Sequence, residues 1–219
     1  MLSRELVILS ERSLRCDGFI ATDLCRCALV GKVHGSFAAP RMTRAEALWA
    51  NQMSERALTE LLRGKGAHAD PVACVEDISA EVAARALDRF PHSIGQIIFH
   101  LNYWLSYDLR RIRGEKPAYP EHAAESWPTA PTPADAAEWD RLRRDFGWLL
   151  AEYGKLAESS AADLAREIEP AHEGQKKISS TLGAVLWQAV AHNSYHVGQI
   201  AMIRRMLGAW PPKAGGDSW

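Results

Sequence analysis

Val185, Ala189, His192, His196, Gln199, Ile203 and Met206 follow one another at steps of 4, 3, 4, 3, 4 and 3. That rhythm is the seam of a helix that turns one stripe toward partner helices. No other feature constrains the fold as strongly, because it asks for an all-α bundle and puts two histidines on the inward stripe. Residues four apart stack one turn from each other on the same face, so His192 and His196 can take adjacent positions around one metal ion. A third ligand has to come from another helix. His100 sits in the middle of a run from Ile94 to Ile112 that is apolar on more than one side. Ile97 and Trp104, at i−3 and i+4, share its face as a dry wall. A His-x-x-x-His pair alone is more often two hydrogen-bonded core residues than a metal site, and the third histidine shifts the weight toward metal.

The rest of the chain supplies four long helices. The first is expected from about Thr43 to Arg63, opened by the capping-box pattern Thr43-Arg-Ala-Glu46 and stopped at Gly64. The second opens at Ser93-Ile-Gly-Gln96, another capping box, and closes at Gly114, with a short helix around Ser79 to Leu87 in the preceding connection. The third is expected to start at Thr132-Pro133-Ala-Asp135, with Thr as cap and Pro in the first turn, and to run to about Glu158. The fourth spans Ser180 or Thr181 to Leu207-Gly208, and Pro211 and Pro212 prevent its resumption. Residues 1–41 lack sustained periodicity and read as a disordered extension or a mis-assigned start. Residues 42–212 read as the bundle, and 213–219 as a flexible tail.

Composition narrows the function classes. Of the 219 residues 47% are hydrophobic and 24% charged, and the formal net charge is −1, which gives no basic field for a nucleic-acid backbone. No apolar run is long enough to cross a bilayer and no signal peptide is evident, so the expected location is the cytoplasm. Cys16, Cys25 and Cys27 precede the bundle and only Cys74 lies within it, so no disulfide framework is expected. Cys25, Cys27 and His34 lack the spacing and the fourth ligand of a zinc site. The Glu-x-x-His of Glu169-Pro-Ala-His172 is broken by Pro170 and has no second copy, which argues against a di-iron centre. His192-Asn-Ser-Tyr-His196 has no Glu after its first His, so it is not a zinc-protease motif. No role is assigned to His34, His68, His92, His122 or His172. Trp104 and Trp187 are expected in the core.

At this point a resemblance appears. The segments His92-Ser-Ile-Gly-Gln-Ile-Ile-Phe-His100-Leu-Asn-Tyr-Trp104 and Leu186-Trp-Gln-Ala-Val-Ala-His192-Asn-Ser-Tyr-His196-Val-Gly-Gln199-Ile resemble the second-helix and fourth-helix motifs of the DinB/YfiT-like superfamily. In order and spacing the similarity covers about residues 43 to 212. The resemblance implies a four-helix bundle with a long connection between its second and third helices, commonly a homodimer. It implies a divalent ion, zinc or nickel first and iron, manganese or cobalt as alternatives, held by His100, His192 and His196. Family members include S-transferases that use low-molecular-weight bacterial thiols such as bacillithiol and mycothiol, a thiol-dependent maleylpyruvate isomerase, and proteins described as metal-dependent hydrolases.

The function expected from this resemblance is activation of a low-molecular-weight thiol for transfer to an electrophilic small molecule, with no nucleic-acid or membrane partner. Two alternatives stand beside it. One is hydrolysis by water at the metal, for which the motif segments supply only Asp108 as an acid, two turns from His100. The other is a non-catalytic, stress-responsive metal or ligand binder. Gln96 and Gln199, each one turn from a ligand, are candidates for orienting an imidazole or a substrate, or else ordinary cap and seam residues. Gly198, inside the fourth helix, suggests close packing or substrate approach.

Overall fold

The computed structural model describes residues 56–88, 90–130, 132–168 and 180–215, all within one compact unit, Met42–Trp219. The expected extension over residues 1–41, the Thr43 capping box, and the Cys25/Cys27/His34 and Glu169–His172 motifs lie outside the described residues.

The fold is an all-α four-helix bundle. The first bundle helix, α1, is helical over 56–62, and its Leu58 and Leu62 are fully buried in the core. Two short helices, α2 (Ala73–Glu76) and α3 (Ala80–Ala84), occupy the connection that follows, and Ser79 caps α3 within the region where a short helix is expected. The three remaining long helices are α4 (Ile94–Ile112), α5 (Ala136–Ala157) and α7 (Leu182–Met206). Between α4 and α5 runs the long connection, with one 3₁₀ turn at Ala123–Ser126. Between α5 and α7 lie α6 (Ala161–Leu164) and a two-residue antiparallel pair, β1 (Glu167–Ile168) with β2 (Ser180–Thr181).

Local chemistry sets the helix ends. The Ser93 side chain accepts from the Gln96 amide at 3.3 Å, and the Gln96 side chain accepts from the Ser93 amide at 2.9 Å, which completes the expected capping box. α4 and α7 close on glycines in the left-handed region, Gly114 at φ +85° and Gly208 at φ +68°. There the Glu115 amide reaches back to Arg110 at 2.9 Å and the Ala209 amide to Arg204 at 2.8 Å, satisfying the last carbonyls.

The start of α5 differs from expectation. Its cap is Asp135, whose carboxylate accepts from the Glu138 amide at 2.8 Å, while Thr132 and Pro133 precede the helix. The reason is tertiary. The Thr132 carbonyl accepts the Ser93 hydroxyl at 3.1 Å, and the Thr132–Pro133 backbone lies so close over Gly95 that a Cβ there would overlap it. That pinning holds Thr132 outside the helix, which opens three residues later at Asp135, where a carboxylate also suits the positive end of the dipole.

α4 packs against both α5 and α7, and α7 also meets α2, α5 and α6. With partners on several sides, the buried arc of α7 is wider than the seven-residue seam and takes in Leu186, Val190, Asn193, Val197 and Ile200. Met206, expected inward, is 56% exposed because the partners do not reach that side of the last turn. Arg204 is the one fully buried cation among the described residues. It donates to the Cys74 carbonyl at 2.7 Å, to Asp77 at 2.8 Å and to the Ala209 carbonyl at 2.8 Å, tying α7 to α2 and to its own C-terminal turn. Asp77 also accepts the Lys213 amide at 2.8 Å. No helix among the described residues is long and apolar enough to cross a membrane.

Candidate metal centre

The three histidines converge. His100 comes from the middle of α4 and His192 and His196 from successive turns of α7. Their candidate ligand atoms all lie within 4.8 Å of one another. The Nε2 atom of His192 is 3.2 Å from Nε2 of His100 and 3.1 Å from Nε2 of His196. Two nitrogens bound to one ion at about 2.0–2.1 Å with a tetrahedral angle stand about 3.3 Å apart, so His192 stands at the spacing of a shared first-row ion from each of the other two rings.

Hydrogen bonding on the far side of two rings decides which nitrogens face inward. His100 Nδ1 lies 3.0 Å from Ser126 Oγ, and that hydroxyl already donates to the Ala123 carbonyl at 2.7 Å. Ser126 Oγ therefore accepts, His100 carries its proton on Nδ1, and the Nε2 lone pair points at the centre. His196 Nδ1 lies 2.7 Å from the Gln199 side-chain oxygen, an acceptor only, with the same consequence. Lone pairs then meet at 3.1–3.2 Å with at most one proton among them. A cation satisfies all three, and hydrogen bonding within the trio cannot. The residues fit a divalent ion on this ground.

Burial favours the ligating form. His100 and His196 are 7% and 4% exposed. Burial, reinforced by the neighbouring imidazoles, pushes His100 down to about 3, and burial takes His196 down to about 4 despite its bond to Gln199. His192 is lowered by burial too. All three are neutral near pH 7, as ligands must be.

An aromatic stack braces the centre. Trp127, from the long connection, lies flat on His100 with centroids 3.9 Å apart and planes 7° apart, and His92 lies flat on the opposite indole face at 3.6 Å and 8°. Trp104 meets His100 edge-on at 6.5 Å, so the closer wall is Trp127. Ser126 and Trp127 escaped the sequence reading because no periodicity marks them, and the tertiary fold alone brings their loop onto α4. The Glu125-Ser-Trp127-Pro128 run after a His122-x-x-Glu125 capping pattern was the available signal; the His122 amide donates to Glu125 at 2.9 Å. His92, left without a role, is part of this stack. His68, likewise unassigned, bonds Ser194 at 2.9 Å on another side of α7.

The remaining candidates separate by position. Gln199 holds His196, whereas Gln96 uses its side-chain oxygen in the α4 cap. Trp187 is 44% exposed, contrary to its expected place in the core, because α7 presents it away from α4 and α5. Trp104 is half-buried and lines a cavity of about 410 Å³ together with Leu105 and Asp108 of α4, Tyr119 of the connection, and Gln188, Ala189, Ala191 and His192 of α7. That volume suits a small molecule. His192 thus belongs both to the trio and to the cavity wall. Asp108 pairs with Arg111 at 2.8 Å, yet burial raises its carboxyl above the ordinary range.

A search of curated proteins returns no match. A family model described as DinB superfamily matches residues 65–200, a span that takes in α4, α5 and all three histidines. That match covers more than half of the chain, in agreement with the bundle and the trio: the chain belongs to the DinB superfamily.

Proposed function

We propose that this DinB-superfamily protein is a metal-dependent enzyme that activates a low-molecular-weight thiol for transfer to an electrophilic small molecule. One observation carries the reading: His192 is at once a member of the three-histidine cluster and part of the wall of a small-molecule cavity. When bound, the ion supplies the Lewis acidity that lets a thiol ionise near neutral pH. The chain does the rest. His100 and His196, locked by Ser126 and Gln199, keep a neutral donor set that leaves the ion's charge uncompensated and therefore acidifying. Trp104, Leu105, Ala189 and Ala191 give the cavity an apolar lining that orients a substrate body and limits water. The thiol gives its proton to solvent water, its sulfur forms a bond to the electrophilic carbon, and the displaced electron pair leaves with the leaving group, or stays on the acceptor and takes up a proton from solvent.

Hydrolysis is the second reading, and Asp108 favours it. From the sequence alone this acid was only two turns from His100; in the fold it lines the same cavity as His192, with a carboxyl raised by burial. Such a group suits proton transfer to a leaving alkoxide or amine. Assays of the metal-loaded protein with a panel of thiols and electrophiles, beside simple esters and amides, separate the two. Thiol transfer is expected, with the Asp108→Asn variant retaining most of it. Ester cleavage that needs no thiol and disappears in Asp108→Asn would replace transfer by hydrolysis.

A further inference from the structure

The cavity beside the metal centre has two unlike sides. From His100 it is reached one turn toward the C-terminus of α4, at Trp104, and from His192 one turn toward the N-terminus of α7, at Gln188. Four residues rise about 6 Å along a helix, so a molecule held there starts within a turn of the histidines. On the α4 side Trp104 presents a half-buried indole, and Tyr119 of the connection packs on it with centroids 5.8 Å apart. Tyr107 braces both rings at steep angles, 5.5 Å from Trp104 and 5.9 Å from Tyr119, and is itself only 6% exposed. On the α7 side, the residues between Gln188 and His192 that line the space are Ala189 and Ala191. Aromatic rings on one helix and methyl groups on the other leave room for a flat body against the rings.

Charge narrows the occupant further. Among the described residues that line the cavity, Asp108 is the only carboxylate and none is a lysine or arginine. Asp108 is already paired with Arg111 at 2.8 Å. An ionic substituent brought in here would find no free counter-charge on the chain, and an unpaired charge out of water is costly. Gln188, exposed at the rim, offers an amide donor and acceptor to a neutral polar group.

We propose that the cavity takes an uncharged, planar, conjugated molecule laid against Trp104 and Tyr119, and that this is the class of the electrophilic acceptor. The role of acceptor rests on the thiol-transfer reading, whereas the class of molecule rests on the cavity walls alone. A flat π-system makes offset or edge-on contacts with the two rings that a saturated body of equal size does not. In that reading the open side of the ion belongs to the thiol, so an anionic acceptor gains no anchor there either. Trp104 and Tyr119 therefore set specificity.

Equilibrium dialysis of the metal-loaded full chain, without thiol, tests this with three unreactive probes: para-nitrobenzamide, its anionic counterpart para-nitrobenzoate, and the saturated cyclohexanecarboxamide. The nitrobenzamide is expected to bind tighter than nitrobenzoate by roughly tenfold or more, and tighter than cyclohexanecarboxamide by roughly two- to twelvefold. Tyr119→Ala, at a residue 46% exposed, should weaken nitrobenzamide by roughly the same two- to twelvefold. Ala191→Phe, also at an exposed position, should fill the space and abolish binding, with helicity and metal content unchanged in both variants. Nitrobenzoate or cyclohexanecarboxamide binding as tightly as nitrobenzamide would overturn the proposal, as would two folded variants that bind nitrobenzamide like wild type. Selective binding of nitrobenzamide without transfer from any thiol would uphold the cavity's preference and remove the thiol reading alone.

Discussion

One hydroxyl and one amide group decide how two of the three imidazoles present themselves. Ser126 holds the Nδ1 proton of His100 and Gln199 that of His196, so both rings offer Nε2 without a tautomer change. Removing such an orienting partner typically costs 10- to 100-fold in metal affinity. Ser126→Ala should therefore weaken binding within about that range by competition titration with a chelator, while circular dichroism stays unchanged; an unaltered affinity would show that the loop plays no part in setting the ring. The same burial makes the metal-free protein sensitive to acid. In the unfolded chain the imidazoles take up protons near 6.5, whereas in the fold His100 and His196 resist down to about 3 and about 4. Across that interval the unfolded state binds more protons, so stability falls as pH falls. The urea midpoint of metal-free protein should drop progressively from pH 6.5 toward pH 4; a flat profile would contradict neutral, buried ligands.

At the scale of elements, the start of α4 is the joint on which the centre depends. Gly95 lets the Thr132–Pro133 backbone cross directly over the helix, and the Ser93 hydroxyl bonds the Thr132 carbonyl across the contact. An alanine at 95 meets backbone and a proline ring instead of a flexible side chain, so α4 and the Thr132–Pro133 segment must move apart. Gly95→Ala should destabilise the protein by about 1–3 kcal/mol, as overpacking does, read as a lowered melting temperature, despite alanine's better helix propensity. An equal or higher melting temperature would mean that the contact is looser than described. The same joint shows where sequence reading ran short. The bounds of α4 and α7, the Ser93 cap and the closures at Gly114 and Gly208 are local chemistry and were legible. Thr132 looked like a cap by spacing, but a contact 39 residues away in sequence took its carbonyl and passed the role to Asp135. Met206 and Trp187 were misplaced because periodicity gives the inward stripe of a helix but not how far its partners extend.

In the whole molecule, two motifs whose histidines His100 and His192 stand 92 residues apart meet at one point, and that convergence was legible because each histidine sits on a helix face whose direction the apolar rhythm fixes. The loop that braces them was not, since Ser126 and Trp127 owe their place to the long connection folding back over α4. In this member of the DinB superfamily, His100, His192 and His196 lie close enough together that they could hold one metal ion. The direct test is elemental analysis of the full chain beside His100→Ala and His192→Ala, with circular dichroism as the check on folding. One divalent ion per chain is expected in wild type and a large loss in either variant with helicity kept. A folded His192→Ala protein that holds its ion as fully as wild type would contradict the assignment.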